Sequence, residues 1–126
     1  VQIGTRFVAS VESSAHGNFK EWVVRAQEGD TELTLKDVVP TRMLKNDLFH
    51  KIKNGYSINA TTDEIKEILG RGKAKQGMFE GNVVNGELEI GQISSMIDKV
   101  LPASEILKEL VSEFNESVHL AKEWSM

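Results

Sequence analysis

The chain has 126 residues, a formal net charge of -4 and no cysteine. That length suits one domain with a modest core, and the acidic balance is wrong for neutralising a nucleic-acid backbone. The absence of cysteine excludes disulfides, zinc-thiolate sites and thiol nucleophiles. No apolar run approaches the ~18 residues of a membrane span, so the expectation is a soluble, cytoplasmic protein with neither nucleic acid nor membrane as partner.

Val1 to Val8 reads as a buried strand, with Val1, Ile3 and Phe7 on one face at period two and a break at Gly4-Thr5. A Gly at a strand end is either plain turn chemistry or a place where backbone N–H groups can hold a phosphate. Arg6 is then either a phosphate neutraliser or a structural partner of Glu12. Ser13 or Ser14 can cap a helix running to about Glu28, with Phe19, Val23 and Ala26 as its buried stripe. Thr31 to Leu35 alternates as a short strand. Val38-Val39-Pro40 leads into Arg42-Met43-Leu44 as a second extended piece, and the Pro argues against a central strand.

Asn46 to Lys53 is expected to be a short helix ended by Asn54-Gly55. Thr61-Thr62-Asp63-Glu64 is a capping box for a helix over Asp63–Leu69, with Gly70 as its stop. Arg71–Phe79 reads as a short helix interrupted by Gly72 and Gly77. Its basic residues, like Lys51 and Lys53, form a solvated face. From Glu89, the spacing of Ile90, Ile93, Ile97 and Val100 predicts a helix with one apolar seam. Pro102 opens the last helix, whose expected inner face is Leu107, Val111, Phe114, Val118 and Ala121. Met78, Phe79, Met96, Trp22 and Trp124 are expected to pack in the core. His50 and His119 have no metal-ligand spacing around them, so no metal site is expected.

Four short words stand out in order: Gly4-Thr5-Arg6-Phe7; Glu12-Ser13, Ala15-His16 and Lys20; Arg42, Leu44 and Asn46; and Gly91-Gln92 with Ser94. Together they resemble the C-terminal third of a family of FMN-dependent TIM-barrel enzymes. It comprises enoyl-acyl carrier protein reductase II and nitronate monooxygenase (2-nitropropane dioxygenase), and the acidic tail helix is more like the reductase branch. The resemblance implies an α/β chain that is a C-terminal fragment of a (β/α)8 barrel, with about seven strands upstream. Residues 1–28 would be the last strand and helix of the barrel, and residues 29–126 a mostly helical extension over its mouth.

The same resemblance implies FMN as cofactor, with NADH or NADPH as co-substrate. It places Gly4 and Thr5 at the cofactor phosphate and Gly91 and Gln92 along the active site, with Ile90 standing where a small Ala is common. The catalytic His is implied to lie upstream, leaving no catalytic residue in this segment, and His16 takes a first-turn structural role. The implied partners are an acyl carrier protein thioester or a small nitronate, together with the upstream barrel, and a homodimer is permitted. A non-enzymatic helical interaction module is the reading from a different class. A start in mid-strand speaks against it.

Overall fold

The computed structural model describes residues 2–124, and a hairpin lies at its centre. β1 (Thr31–Thr34) and β2 (Thr41–Leu44) run antiparallel, with Thr34 opposite Thr41 and Thr31 opposite Leu44. β1 falls where the alternation of Thr31 to Leu35 places it, and β2 on the extended piece expected at Arg42-Met43-Leu44. Pro40 sits just ahead of β2, where its missing N–H costs no ladder bond. Residues 88–90 extend the hairpin along β2: the Leu44 N–H donates to Leu88 O at 3.0 Å, the Ile90 N–H donates to Arg42 O at 3.1 Å, and Met43 bridges Glu89.

Neighbouring residues of a strand face opposite ways, and the core divides around β2 accordingly. Leu44 packs with Ala9, Phe19, Val23, Leu88 and Ile97. Met43 packs on the other side with Leu35, Leu48, Phe49, Ile52 and Ile65. The first cluster is closed by α2 (Gly17–Arg25), the second by α3 (Asp47–Ser57) and α4 (Thr62–Leu69). The Thr61–Glu64 capping box forms at the start of α4, and Gly70 ends it at φ 70°. Trp22 packs against the first cluster, whereas Trp124 is exposed.

Several expectations give way to other geometry. Gly4–Val8 is a short helix, α1, not a strand; Val1 lies outside the described residues. Ile3 and Phe7 are also four residues apart, a helical spacing, and a strand there would need edge partners that the described residues do not supply. α2 is capped by His16 rather than by Ser13 or Ser14. α3 runs straight through Asn54-Gly55, because Gly55 is buried where α3 crosses α4: an added Cβ would meet Ile65 Cδ1 at 2.8 Å and Ile68 Cδ1 at 2.9 Å.

Residues 75–79 form a π-helical turn. The helix expected from Glu89 shrinks to a 3-10 turn at Gln92–Met96, with Ile93, Met96 and Val100 exposed, because 88–90 are drawn into pairing with β2. The last helix, α5 (Ala103–Glu123), rests on the body through Ile106 and an ion pair between Lys99 and Glu109 at 3.0 Å. Its expected inner stripe of Leu107, Val111 and Phe114 is rotated one residue away and is exposed. Among the described residues, no helix is long and apolar enough to cross a membrane.

Asn46 ties these pieces together. Its Oδ1 accepts from the Phe49 N–H at 3.0 Å and caps α3, while its Nδ2 donates to Val83 O and Gly86 O, both at 2.8 Å. The side chain is 3% exposed, so none of these bonds is replaced by water when it is removed. Asn46→Ala should lower stability by about 2–4 kcal/mol, from a lost cap and two unsatisfied carbonyls. Asn46→Ser, which keeps a capping oxygen alone, should fall between, as read by urea unfolding; an Asn46→Ala protein as stable as the parent would contradict this.

Candidate functional site

The two glycine words of the sequence meet. The Gly91 N–H donates to the Thr5 hydroxyl at 3.0 Å across 86 residues of chain. A Cβ on Gly91 would sit 2.6 Å from Thr5 Oγ1, so the contact requires glycine. Thr5 spends a lone pair in this bond and keeps its O–H proton free to donate elsewhere. Beside the junction opens a cleft of about 720 Å³, lined among others by Gly4, Thr5, Arg42, Glu87, Glu89 and Gly91.

One wall is the turn between the strands, Leu35 to Pro40, with Val38 and Val39 facing the space. It is pinned from outside by Asp37, which accepts hydrogen bonds from the Tyr56 hydroxyl and, at 2.6 Å, from Thr62 Oγ1. These bonds hold the Asp37 carboxyl below the usual range, Thr62 contributing most. Burial, then the bond to Asp37, pushes the Tyr56 hydroxyl up to about 12. The facing wall is the stretch 87–90, where Leu88 and Ile90 are buried in the core while Glu87 and Glu89 line the cleft. Arg42 reaches in from β2, one guanidinium nitrogen donating to Thr31 O at 3.3 Å and to Thr31 Oγ1 at 3.1 Å.

Gly4 has open space where a side chain would be, and its exposed backbone borders the cleft. Gln92 is exposed and stands beside the cleft rather than lining it. Glu87 is 9% exposed, and burial, reinforced by the charge of Glu89, raises its carboxyl above the ordinary range. Sequence reasoning passed over Glu87 and Glu89. The available signal was the alternation Glu87-Leu88-Glu89-Ile90, a half-buried strand pattern.

The remaining family words are structural. Glu12 accepts from the Ala103 N–H at 2.8 Å, holding the start of α5, so it is not the partner of Arg6. Arg6 instead donates to Lys99 O at 3.2 Å and lies 3.7 Å from Glu109. His16 Nδ1 accepts from the Asn18 N–H at 3.1 Å, the first-turn role expected of it. Lys20 Nζ gathers the Ser10 and Ser13 carbonyls at 2.6 and 2.9 Å, fastening the loop between α1 and α2. Among the described residues no group of His, Asp and Glu is arranged to hold a metal ion.

A mostly helical α/β chain with a cleft built where glycine turns converge defines the class; comparison with known proteins supplies the family. The sequence pattern of the nitronate monooxygenase family matches residues 1–113, and the chain belongs to that family. A probable nitronate monooxygenase of Staphylococcus saprophyticus is 29% identical over 119 residues, 92% of this chain and 32% of its own. FabK from Thermotoga maritima superposes with a TM-score of 0.88 at 34% identity, covering 98% of this chain and 39% of that one. A point mutant of the same FabK gives 0.77 at 31%, covering 98% and 37%. The fold is thus that of part of a TIM-barrel chain, and this chain spans about a third of the curated relative's length.

The Asp37 pin makes a pH prediction. A carboxyl whose folded pKa is depressed contributes stability above its unfolded pKa and loses it as pH falls through the folded one. Tyr56→Phe should therefore flatten the dependence of melting temperature on pH in the acid range below the usual carboxylate pKa. At the alkaline end, the raised Tyr56 hydroxyl stabilises below its unfolded pKa of roughly 10 and loses that contribution as pH rises through about 12. Identical melting profiles for Tyr56→Phe and the parent would remove the pin.

Proposed function

We propose that this chain is part of an FMN-dependent oxidoreductase that reduces an enoyl-acyl carrier protein thioester with NADH or NADPH. The observation that carries the reading is the Thr5–Gly91 hydrogen bond, which brings the two turns expected at the flavin into one cleft. The residues fit the cofactor. Gly4 offers unobstructed backbone, the Thr5 O–H has a proton to donate, Arg42 brings positive charge, and about 720 Å³ is within the size of known cofactor pockets.

When bound, FMN would supply the hydride chemistry, accepting from a nicotinamide and passing to an activated double bond. The chain's own part is to hold and orient. Gly4 and Thr5 would take the phosphate, Gly91 would let a flat ligand approach the backbone, and the apolar side chains Val8, Leu35, Val38 and Ile90 would exclude water. A catalytic proton donor is expected from a His on the upstream part of the barrel. The identity to FabK supports the reductase reading.

The family match and the curated relative favour a second reading, nitronate monooxygenase, on the same scaffold and cofactor but with oxygen and an alkyl nitronate. Anaerobic NADH oxidation driven by crotonyl thioester separates the two, since only the reductase should turn over. The cofactor site itself is tested in the complete enzyme by Thr5→Val, which should weaken FMN binding by about 1–3 kcal/mol through loss of a charge-assisted hydrogen bond. Unchanged flavin affinity would remove Thr5 from the phosphate site.

A further inference from the structure

Lys20 stands on α2 and sends its ammonium into the loop that joins α1 to α2. There Nζ donates to the carbonyl oxygens of Ser10 at 2.6 Å, Ser13 at 2.9 Å and Val11 at 3.4 Å. Carbonyls that converge on one point repel one another and leave lone pairs unmet unless a donor or cation sits between them. An ammonium answers all of them at once, having three N–H donors and no acceptor, whereas a guanidinium is a planar fork. The loop's own acid takes no part, since Glu12 accepts from the Ala103 N–H. Two serine hydroxyls shape the cage instead. Ser10 Oγ accepts from the Ser13 N–H at 3.1 Å, and Ser13 Oγ from the Ala15 N–H at 3.2 Å.

What the cage holds in place is α1. None of the residues Gly4–Val8 is fully buried, so the position of this short helix is set from its ends. Near its start lies the Thr5–Gly91 bond. Past its end, Ala9 is 0% and Ser10 4% exposed. The Ser10 N–H donates to Phe7 O at 3.1 Å, and Ala9 O and the Val11 N–H are bonded to Leu101. Lys20 grips the same stretch from the side of α2. A shift of residues 9–11 would be passed to Thr5 along about one helical turn.

We infer that Lys20 is a positioning residue for the cofactor end of the cleft: its ammonium, held in a cage of carbonyls, fixes the helix that presents Gly4 and Thr5 and so keeps the Thr5–Gly91 bond closed. This rests on the cofactor reading above for FMN as the ligand affected.

The test uses the complete enzyme as parent, Lys20→Met, Lys20→Arg and Lys20→Ala. Lys20→Met keeps an apolar stem in the same space and removes the donors. It should weaken FMN binding to the folded apoprotein roughly tenfold or more, the scale of coupling between linked sites. Without flavin, its amide hydrogen exchange should accelerate more at Gly91 than at Ile65, whose N–H is bonded to Thr61 O at the start of α4. Lys20→Arg should lose FMN affinity too, because the fork does not fill the cage. In Lys20→Ala, which leaves room for an added amine, propylammonium should restore both readouts. Propyltrimethylammonium, of equal charge but without an N–H, should not. FMN affinity and Gly91 exchange unchanged in Lys20→Met, or equal rescue by the two cations, overturns the inference. So does equal acceleration at Gly91 and Ile65, or a Lys20→Met protein that does not fold, since Lys20 would then be a general stabiliser. A parent that takes up no FMN would sink the cofactor reading instead, and exchange at Gly91 would still decide Lys20.

Discussion

The hydrogen bond from the Gly91 N–H to the Thr5 hydroxyl is the joint on which the site depends. It fastens the first helix to the turn after residue 90 and closes one end of the cleft. Neither residue type is exchangeable at that point. Only glycine leaves room for the hydroxyl at Gly91, and only a hydroxyl both accepts from that amide and retains a donor. The bond also joins two distant words of the sequence: each supplies half of a junction.

Around that joint the protein is arranged to present a rigid wall. Asn46 caps α3 and holds the turn at Val83 and Gly86, the paired glycines Gly77 and Gly86 seat residues 86–88, and pairing with β2 fixes 88–90. Polar groups in the cleft are thereby set by backbone constraints on three sides. Opposite them the strand turn is pinned through Asp37, Tyr56 and Thr62. Local strength is spent on the orientation of that wall.

What the sequence disclosed was local. The hairpin strands, the Thr61 capping box and the Gly70 stop follow from a few neighbouring residues, and the structure has them. The family words singled out two turns, at Gly4-Thr5 and Gly91-Gln92, that the structure brings into contact, with Gln92 beside the cleft that Gly91 lines. What stayed hidden was non-local. Gly55 looks like a helix stop and is a helix crossing; Gly77 looks like a break and is a seat for another segment. The spacing of Ile90, Ile93 and Ile97 suits a helix, but the open edge of β2 captures 88–90 first, and that capture is what turns Glu87 and Glu89 into cleft residues. Val1 to Val8 alternates like a strand, yet Gly4–Val8 satisfies its backbone within a short helix.

The central claim is that Thr5 and Gly91 frame a flavin site. The most direct measurement is a crystal structure of the complete enzyme grown with FMN. The account predicts the flavin phosphate within hydrogen-bonding reach of the Gly4 and Thr5 backbone and the Thr5 hydroxyl, with the Gly91 turn against the bound cofactor. A flavin bound elsewhere, with the Thr5–Gly91 junction remote from it, would contradict the account.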